Sequence, residues 1–212
     1  MHRALPLFGL LLLAATSRAQ LSYGFETDAQ GWRRANFNTA SLTLEDVGPA
    51  VWNSGGYIEG ADFATYAFHV SPELGGLNLS GAYGGRFSLD YSSAAANNPL
   101  LPNPFLVVTN GTGAIYRTQN FAGTGTFGSY GYALDTTGGW LYGTTLTNSA
   151  PATEAQIRGV LASVTRIGVT ADVSSGPEFT RVDNVRIAAV PEPASLVAVS
   201  LGLLALRRRR RS

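Results

Sequence analysis

Arg86-Phe87-Ser88-Leu89-Asp90-Tyr91 decides the fold class. Its apolar residues recur at every second position, and successive side chains of a strand point to opposite faces, so Phe87, Leu89 and Tyr91 face a core while Ser88 and Asp90 face away. The same period places Tyr66, Phe68 and Val70 together within Thr65–Val70, and Ile167, Val169 and Ala171 within Arg166–Ala171. Further strands are expected at Leu21–Phe25, Phe37–Leu44, Gly56–Glu59, Phe105–Thr109, Ala114–Arg117, Gly128–Leu134 and Val182–Ile187, separated by Gly, Asn, Ser and Pro clusters. Asn110-Gly111 marks a turn between two of them, lengthened by Thr112-Gly113.

One segment departs from this period. From Thr153 to Val164 the apolar residues Ile157, Val160, Leu161 and Val164 follow helical spacing, with Thr153 placed to cap and Glu154 just inside. Ten expected strands, one short helix and no internal repeat predict an all-β, jelly-roll β-sandwich over residues 20–190.

Composition narrows the chemistry. The 212 residues include 10 Phe, 9 Tyr and 3 Trp, enough to bury a core, so a disordered chain is excluded. With no Cys, disulfides, thiolate zinc sites, iron–sulfur clusters and cysteine nucleophiles are excluded as well. All 15 basic residues are Arg, and the net charge of +1 hides an uneven distribution. Residues 20–190 hold 8 Arg against 13 Asp and Glu, a net of −5. An acidic body speaks against nucleic acid and other polyanions and is compatible with neutral sugars or cations.

The compensating positive charge lies at the two ends. Residues 1–19 read as a secretory signal: His2 and Arg3, an apolar run from Ala4 to Ala15, then Ser17-Arg18-Ala19, with cleavage expected between Ala19 and Gln20 and export through the Sec machinery. At the other end Pro191-Glu192-Pro193 is followed by an apolar segment over 194–206 and by Arg207, Arg208, Arg209, Arg210 and Arg211. Thirteen helical residues reach roughly 20 Å, a short membrane span that snorkelling arginines can extend. The five arginines hold that end in the cytoplasm, leaving the body outside.

This C-terminal order resembles the PEP-CTERM sorting signal over residues 191–212. The resemblance implies a precursor anchored in the inner membrane, processing by an exosortase, and delivery to the cell surface or an extracellular matrix rich in exopolysaccharide. A plain tail anchor is the alternative.

Within the body an ordered set of landmarks stands out: Phe25-Glu26, Gly31-Trp32, Gly55-Gly56-Tyr57-Ile58, Tyr66-Ala67-Phe68, Ala82-Tyr83-Gly84-Gly85, Gly139-Trp140, the helix, and Val182-Asp183-Asn184-Val185-Arg186-Ile187. It resembles the laminin B (domain IV) module in its bacterial form. That resemblance implies a jelly roll related in architecture to galactose-binding modules, and no catalytic activity. The cysteine-rich repeats that flank animal examples are missing, so laminin's matrix-assembly role does not carry over.

Catalytic machinery is sparse in the residues themselves. His69 is the one His after leader removal, opposite in parity to Phe68 and Val70, and is expected to be a satisfied or solvent-facing strand residue. No second His completes a triad or a His-based metal site, and no Gly-x-Ser-x-Gly elbow is present. A carbohydrate-active enzyme, the alternative to a non-enzymatic glycan- or envelope-protein-binding sandwich, would need two carboxylates, from Glu59 with Asp62 or Asp90 with Asp135. No cofactor is required, but Glu26, Asp28 and Asp183 form a candidate structural calcium site if the first and last strands are neighbours. Trp52, between Gly48-Pro49 and Gly55-Gly56, is the candidate exposed ligand-binding aromatic.

Overall fold

The period of two becomes fourteen strands among the described residues, and the helical stripe becomes one helix. The computed structural model describes residues 21–61, 63–64, 66–95, 104–120, 123–174 and 178–189. The leader with its cleavage site, Asp62, the Pro-Glu-Pro motif, the apolar segment and the Arg tail lie outside the described residues.

Two antiparallel sheets face each other. The first contains β1 (Leu21–Tyr23), β4 (Val51–Asn53), β5 (Tyr57–Ala61), β7 (Arg86–Ser93), β10 (Gly128–Ala133) and β14 (Phe179–Ala188), in the order β10-β7-β14-β5-β4 with β1 also against β14. The second contains β2 (Arg33–Asn38), β3 (Thr43–Pro49), β6 (Ala67–Val70), β8 (Leu106–Thr109), β9 (Ala114–Arg117), β11 (Leu141–Gly143), β12 (Ala150–Pro151) and β13 (Arg166–Thr170), in the order β12-β11-β9-β8-β13-β6-β2-β3. The expected neighbouring of first and last strands holds, with Leu21 opposite Ile187 and Tyr23 opposite Val185.

Between the sheets lies the main core. Phe87, Leu89 and Tyr91 from β7 meet Leu106, Val108, Ile115, Ile167 and Val169 from the second sheet. Helix α1 (Glu154–Leu161) adds Ile157, Val160 and Leu161 to the same core. Its start is a capping box: the Gln156 N–H donates to the Thr153 hydroxyl at 3.3 Å and the Thr153 N–H donates to the Gln156 side chain at 2.9 Å. Such a cap contributes about 1 kcal/mol.

The two sheets differ on their outer faces. Phe37, Leu42, Leu44, Phe68, Val70, Val107 and Tyr116 form a second apolar cluster on the far side of the second sheet, covered by Tyr66, Leu141 and Leu146. That sheet is therefore buried on both faces, which explains why all four residues of β6 are inaccessible. On the first sheet the outward residues Arg86, Ser88, Asp90, Ser129, Arg181 and Arg186 are polar and reach water, and the site is built there.

Two expectations need correcting in detail. Phe37–Leu44 is not one strand but the turn of a hairpin, because Asn38 accepts from the Ala40 N–H at 3.0 Å and Leu42 takes a left-handed backbone with φ of 53°. His69 is neither exposed nor hydrogen-bonded at both nitrogens. It points between the sheets, its Nε2 lies 3.0 Å from the Thr180 hydroxyl, and its Nδ1 has no partner.

Candidate functional site

β14 begins with strict alternation: Thr180 and Val182 face the core. Val185 and Ile187 face it next, so the interval has slipped from two to three. The cause is a bulge: Asp183 is opposite Asp90, yet Arg186 is opposite Ser88, and Asn184 adopts φ of 51°. Asn tolerates that left-handed conformation better than most residues, and bulges re-aim side chains out of the regular pleat. Here the bulge lets Asn184 reach across to β7.

Three strands then converge on one polar centre. The Asn184 Nδ2 donates to Asp90 Oδ2 at 2.9 Å and to Asp183 Oδ2 at 3.1 Å. The Ser129 hydroxyl of β10 donates to Asp90 Oδ1 at 2.5 Å, and the Asn184 N–H donates to Asp183 Oδ1 at 2.6 Å. Burial holds the Asp183 carboxyl above its ordinary pKa; the Asn184 N–H works against this, and the charges of Asp90 and Glu26 add to it. Around this centre Arg86, Ser88, Asp90, Ser129, Tyr130, Asn184 and Arg186 line a cleft of about 370 Å³.

Beside the cleft the same face turns aromatic. Tyr57 and Glu59 project outward from β5, because Ile58 between them is fully buried. Phe127 precedes Ser129 by two residues, and its ring meets that of Tyr57 at 5.6 Å with planes 66° apart. Arg181 lies between Tyr57 and Phe179, its guanidinium 5.5 Å from the Tyr57 ring and 5.9 Å from that of Phe179. Phe127 and Phe179 stay about 40% exposed, with 43% and 40% of their surface in water. Polar groups that exchange hydrogen bonds therefore adjoin a platform of apolar ring faces.

The structure redistributes the residues singled out in the sequence. The calcium trio is not assembled: among the described residues no three His, Asp or Glu side chains are grouped so as to hold a metal. Asp28 instead accepts from the Gln30 N–H at 2.7 Å, and Asp183 accepts from the Asn184 N–H and side-chain amide. Trp52 is opposite the inward residue Ile58, so it lies on the other side of the sheet from the cleft. Trp52 is exposed, as expected, and its indole N–H donates at 2.7 Å to the carbonyl of Phe25, whose φ is 50°. Trp32 and Trp140 are core residues, as their place among the landmarks implied.

The expected carboxylate pairs are also reassigned. Asp135 accepts from the Thr137 N–H and hydroxyl in its own turn, and the partner of Asp90 is Asp183. Glu59 accepts from Asn53 at 3.1 Å and lies 3.6 Å from Arg181, while Asp62 is outside the described residues. Sequence reading missed Arg86, Ser129, Phe127, Asn184 and Arg186 as members of one face. The one local signal was the slip of period at Asp183-Asn184.

Comparison with known proteins bears on the tail and on the fold. Residues 189–211 match the family model of the PEP-CTERM protein-sorting motif. No curated protein matches the sequence. Among solved structures the sandwich is similar to the L4b domain of human laminin alpha-2, with a TM-score of 0.60 at 14% identity over 81% of this chain and 98% of that one. It is similar to part of an agarase, with a TM-score of 0.50 at 13% identity over 82% of this chain and 25% of the agarase. The chain thus carries a PEP-CTERM sorting signal, which marks an exported protein held through its C-terminal end before processing, on a laminin-like sandwich fold.

Proposed function

We propose that this exported protein is released by an exosortase to the cell surface or its exopolysaccharide matrix, where the outer face of the first sheet binds glycan. The observation that carries the binding role is that face: a polar cleft at Asp90 and Asn184 beside the Tyr57–Phe127 platform. Sugars present hydroxyls in the plane of the ring and C–H groups above it, so they need hydrogen-bonding groups next to an apolar surface. Both are supplied by neighbouring strands of one sheet, a rigid support that keeps the geometry at little cost in ordering.

Affinity measurements with the full-length chain in detergent micelles, against neutral and acidic polysaccharides, test this. Replacing Tyr57 and Phe127 together by Ala is expected to weaken glycan binding by about tenfold or more, with the thermal midpoint nearly unchanged. Undiminished binding would remove the platform from the account. The sorting role predicts a separate result: deletion of Pro191 to Pro193 leaves an unprocessed precursor in the membrane. Normal processing of that deletion would reduce the tail to a plain anchor.

A second reading, a carbohydrate-active enzyme, is favoured by one observation. Asp90 and Asp183 oxygens share one amide nitrogen and so lie at most about 6 Å apart, and burial raises the pKa of Asp183; retaining glycosidases use two carboxylates at ~5–5.5 Å with the acid's pKa raised. Product analysis of the bound glycan separates the readings, since turnover abolished in Asp183→Asn would replace binding by catalysis.

A further inference from the structure

Two guanidinium groups at one end of the cleft form no ion pair within 4.0 Å among the described residues, although the charge of Arg186 acts on the Asp183 carboxyl. Arg86 of β7 and Arg186 of β14 both line the cleft and both are exposed. Arg186 is opposite Ser88, and Arg86 is opposite Ala188, so the two arginines are diagonal neighbours on adjacent strands, about 7–8 Å apart at the backbone. Arg86 lies back over β10, where a Cβ on Gly131 would come within 2.2 Å of its Nε and Nη2. Gly131 thus clears the space in which that guanidinium rests. Arg186 donates to the Asn184 side-chain oxygen at 3.4 Å, and its charge partly offsets the raised pKa of Asp183.

Four of the other six arginines of the body are ion-paired, while Arg34 lies over the Phe63 ring and Arg117 over the Tyr132 ring. Arg33 pairs with Asp46, Arg158 with Glu154, Arg166 with Glu73 and Arg181 with Glu59. The one acid lining the cleft, Asp90, is two residues along β7 from Ser88, and its two oxygens already accept from Ser129 and Asn184. The cleft is therefore polarised along β7, with two open cations and the Ser88 hydroxyl at one end and a hydrogen-bonded carboxylate at the other. Since residues 20–190 carry a net of −5, diffuse attraction for polyanions is opposed, and any acidic ligand must be read locally. A guanidinium offers planar paired donors that match a carboxylate, and two from adjacent strands can grip one such group from both sides.

We propose that the Arg86–Arg186 end of the cleft binds the carboxylate of an acidic sugar, so that the ligand of this face is a uronate-type polysaccharide. This rests on the glycan-binding reading above. The Asp90–Asn184 end then takes ring hydroxyls as donors, and the opposed charges fix the direction in which the chain lies across the sheet.

The test uses the full-length chain in micelles at physiological salt, with polygalacturonate, alginate, methyl-esterified polygalacturonate, dextran sulfate and neutral dextran as probes. At least one polyuronate is expected to bind, esterification is expected to weaken polygalacturonate binding where it occurs, and the double variant R86Q/R186Q is expected to lose about tenfold or more in affinity for the bound polyuronate. Its thermal midpoint should match that of the parent, because both side chains are exposed. Equal affinity for the ester and the acid, equal affinity for dextran sulfate, preference for neutral dextran, or undiminished binding by R86Q/R186Q each overturns the carboxylate assignment and leaves glycan binding standing. Failure of all the probes to bind overturns both.

Discussion

Trp32→Ala is expected to cost ~3–5 kcal/mol of stability, the range for emptying a buried tryptophan site, and to lower the melting midpoint by roughly 6–20 °C. Trp32 is 1% exposed and stands immediately before β2. Its ring meets Tyr23 at 5.3 Å and Phe25 at 5.5 Å, both nearly perpendicular, so three aromatic rings close this part of the core. Its backbone is committed too, donating to the Ala29 carbonyl at 2.8 Å and accepting from the Ala50 N–H at 3.1 Å. The indole N–H, however, is buried with no hydrogen-bond partner. Trp32→Phe removes that orphaned donor while keeping a ring, so it should cost under ~1.5 kcal/mol. Chemical denaturation of both variants checks the contrast, and equal losses would show that ring packing is not what Trp32 contributes.

Stability should also fall steeply in mild acid because of His69. Burial, with a further contribution from the Arg34 charge, lowers its pKa from 6.5 to about 4. Arg34 is its direct neighbour on β2, and the missing side chain of Gly60 leaves room for the ring, since a Cβ there would lie 3.1 Å from His69 Cε1. The folded protein keeps the imidazole neutral in a range where the unfolded chain takes up a proton. The stability that depends on this is complete above about pH 6.5 and is lost as the pH falls to about 4. At about 1.4 kcal/mol per unit the loss amounts to ~3 kcal/mol across that window. Denaturation curves between pH 7 and 4 should therefore show a slope that His69→Gln abolishes over this window. A parallel slope in the variant would assign the acid sensitivity to other groups.

How much of this was legible depends on how local the signal is. Phe87, Leu89 and Tyr91 declared their strand because one face of the first sheet is wet, and alternation survives where burial is one-sided. The parity of His69 was readable, but its burial was not, since that required knowing that Leu44, Tyr66 and Leu146 cover the outer face of the second sheet, where Phe68 and Val70 lie, so that His69 turns inward against Thr180. Val51–Asn53 looked like a loop, flanked by Pro49 and Gly55-Gly56, and became an edge strand only through pairing with Tyr57–Glu59. Leu42 imitated a strand residue because nothing in its side chain announces a left-handed backbone.

The site was harder for the same reason. Asp90 and Asn184 are separated by 94 positions, and only the adjacency of β7 and β14 makes them partners. Ser129 reaches Asp90 across 39. Trp52 stood out through its place between Gly48-Pro49 and Gly55-Gly56, and it is exposed as expected, but its indole N–H donates to the Phe25 carbonyl. The sorting signal is the opposite case: its motif, apolar run and Arg tail are contiguous, and the family match falls on residues 189–211.

The central claim is that glycan lies across the outer face of the first sheet. Amide chemical-shift mapping of the full-length chain, titrated with a polysaccharide that it binds, tests this most directly. The account predicts perturbations concentrated at 57–59, 86–92, 127–131 and 181–186, on β5, β7, β10 and β14 with the approach to β10. Perturbations centred instead on Trp52 and the β1–β2 connection, or spread over the second sheet, would contradict it.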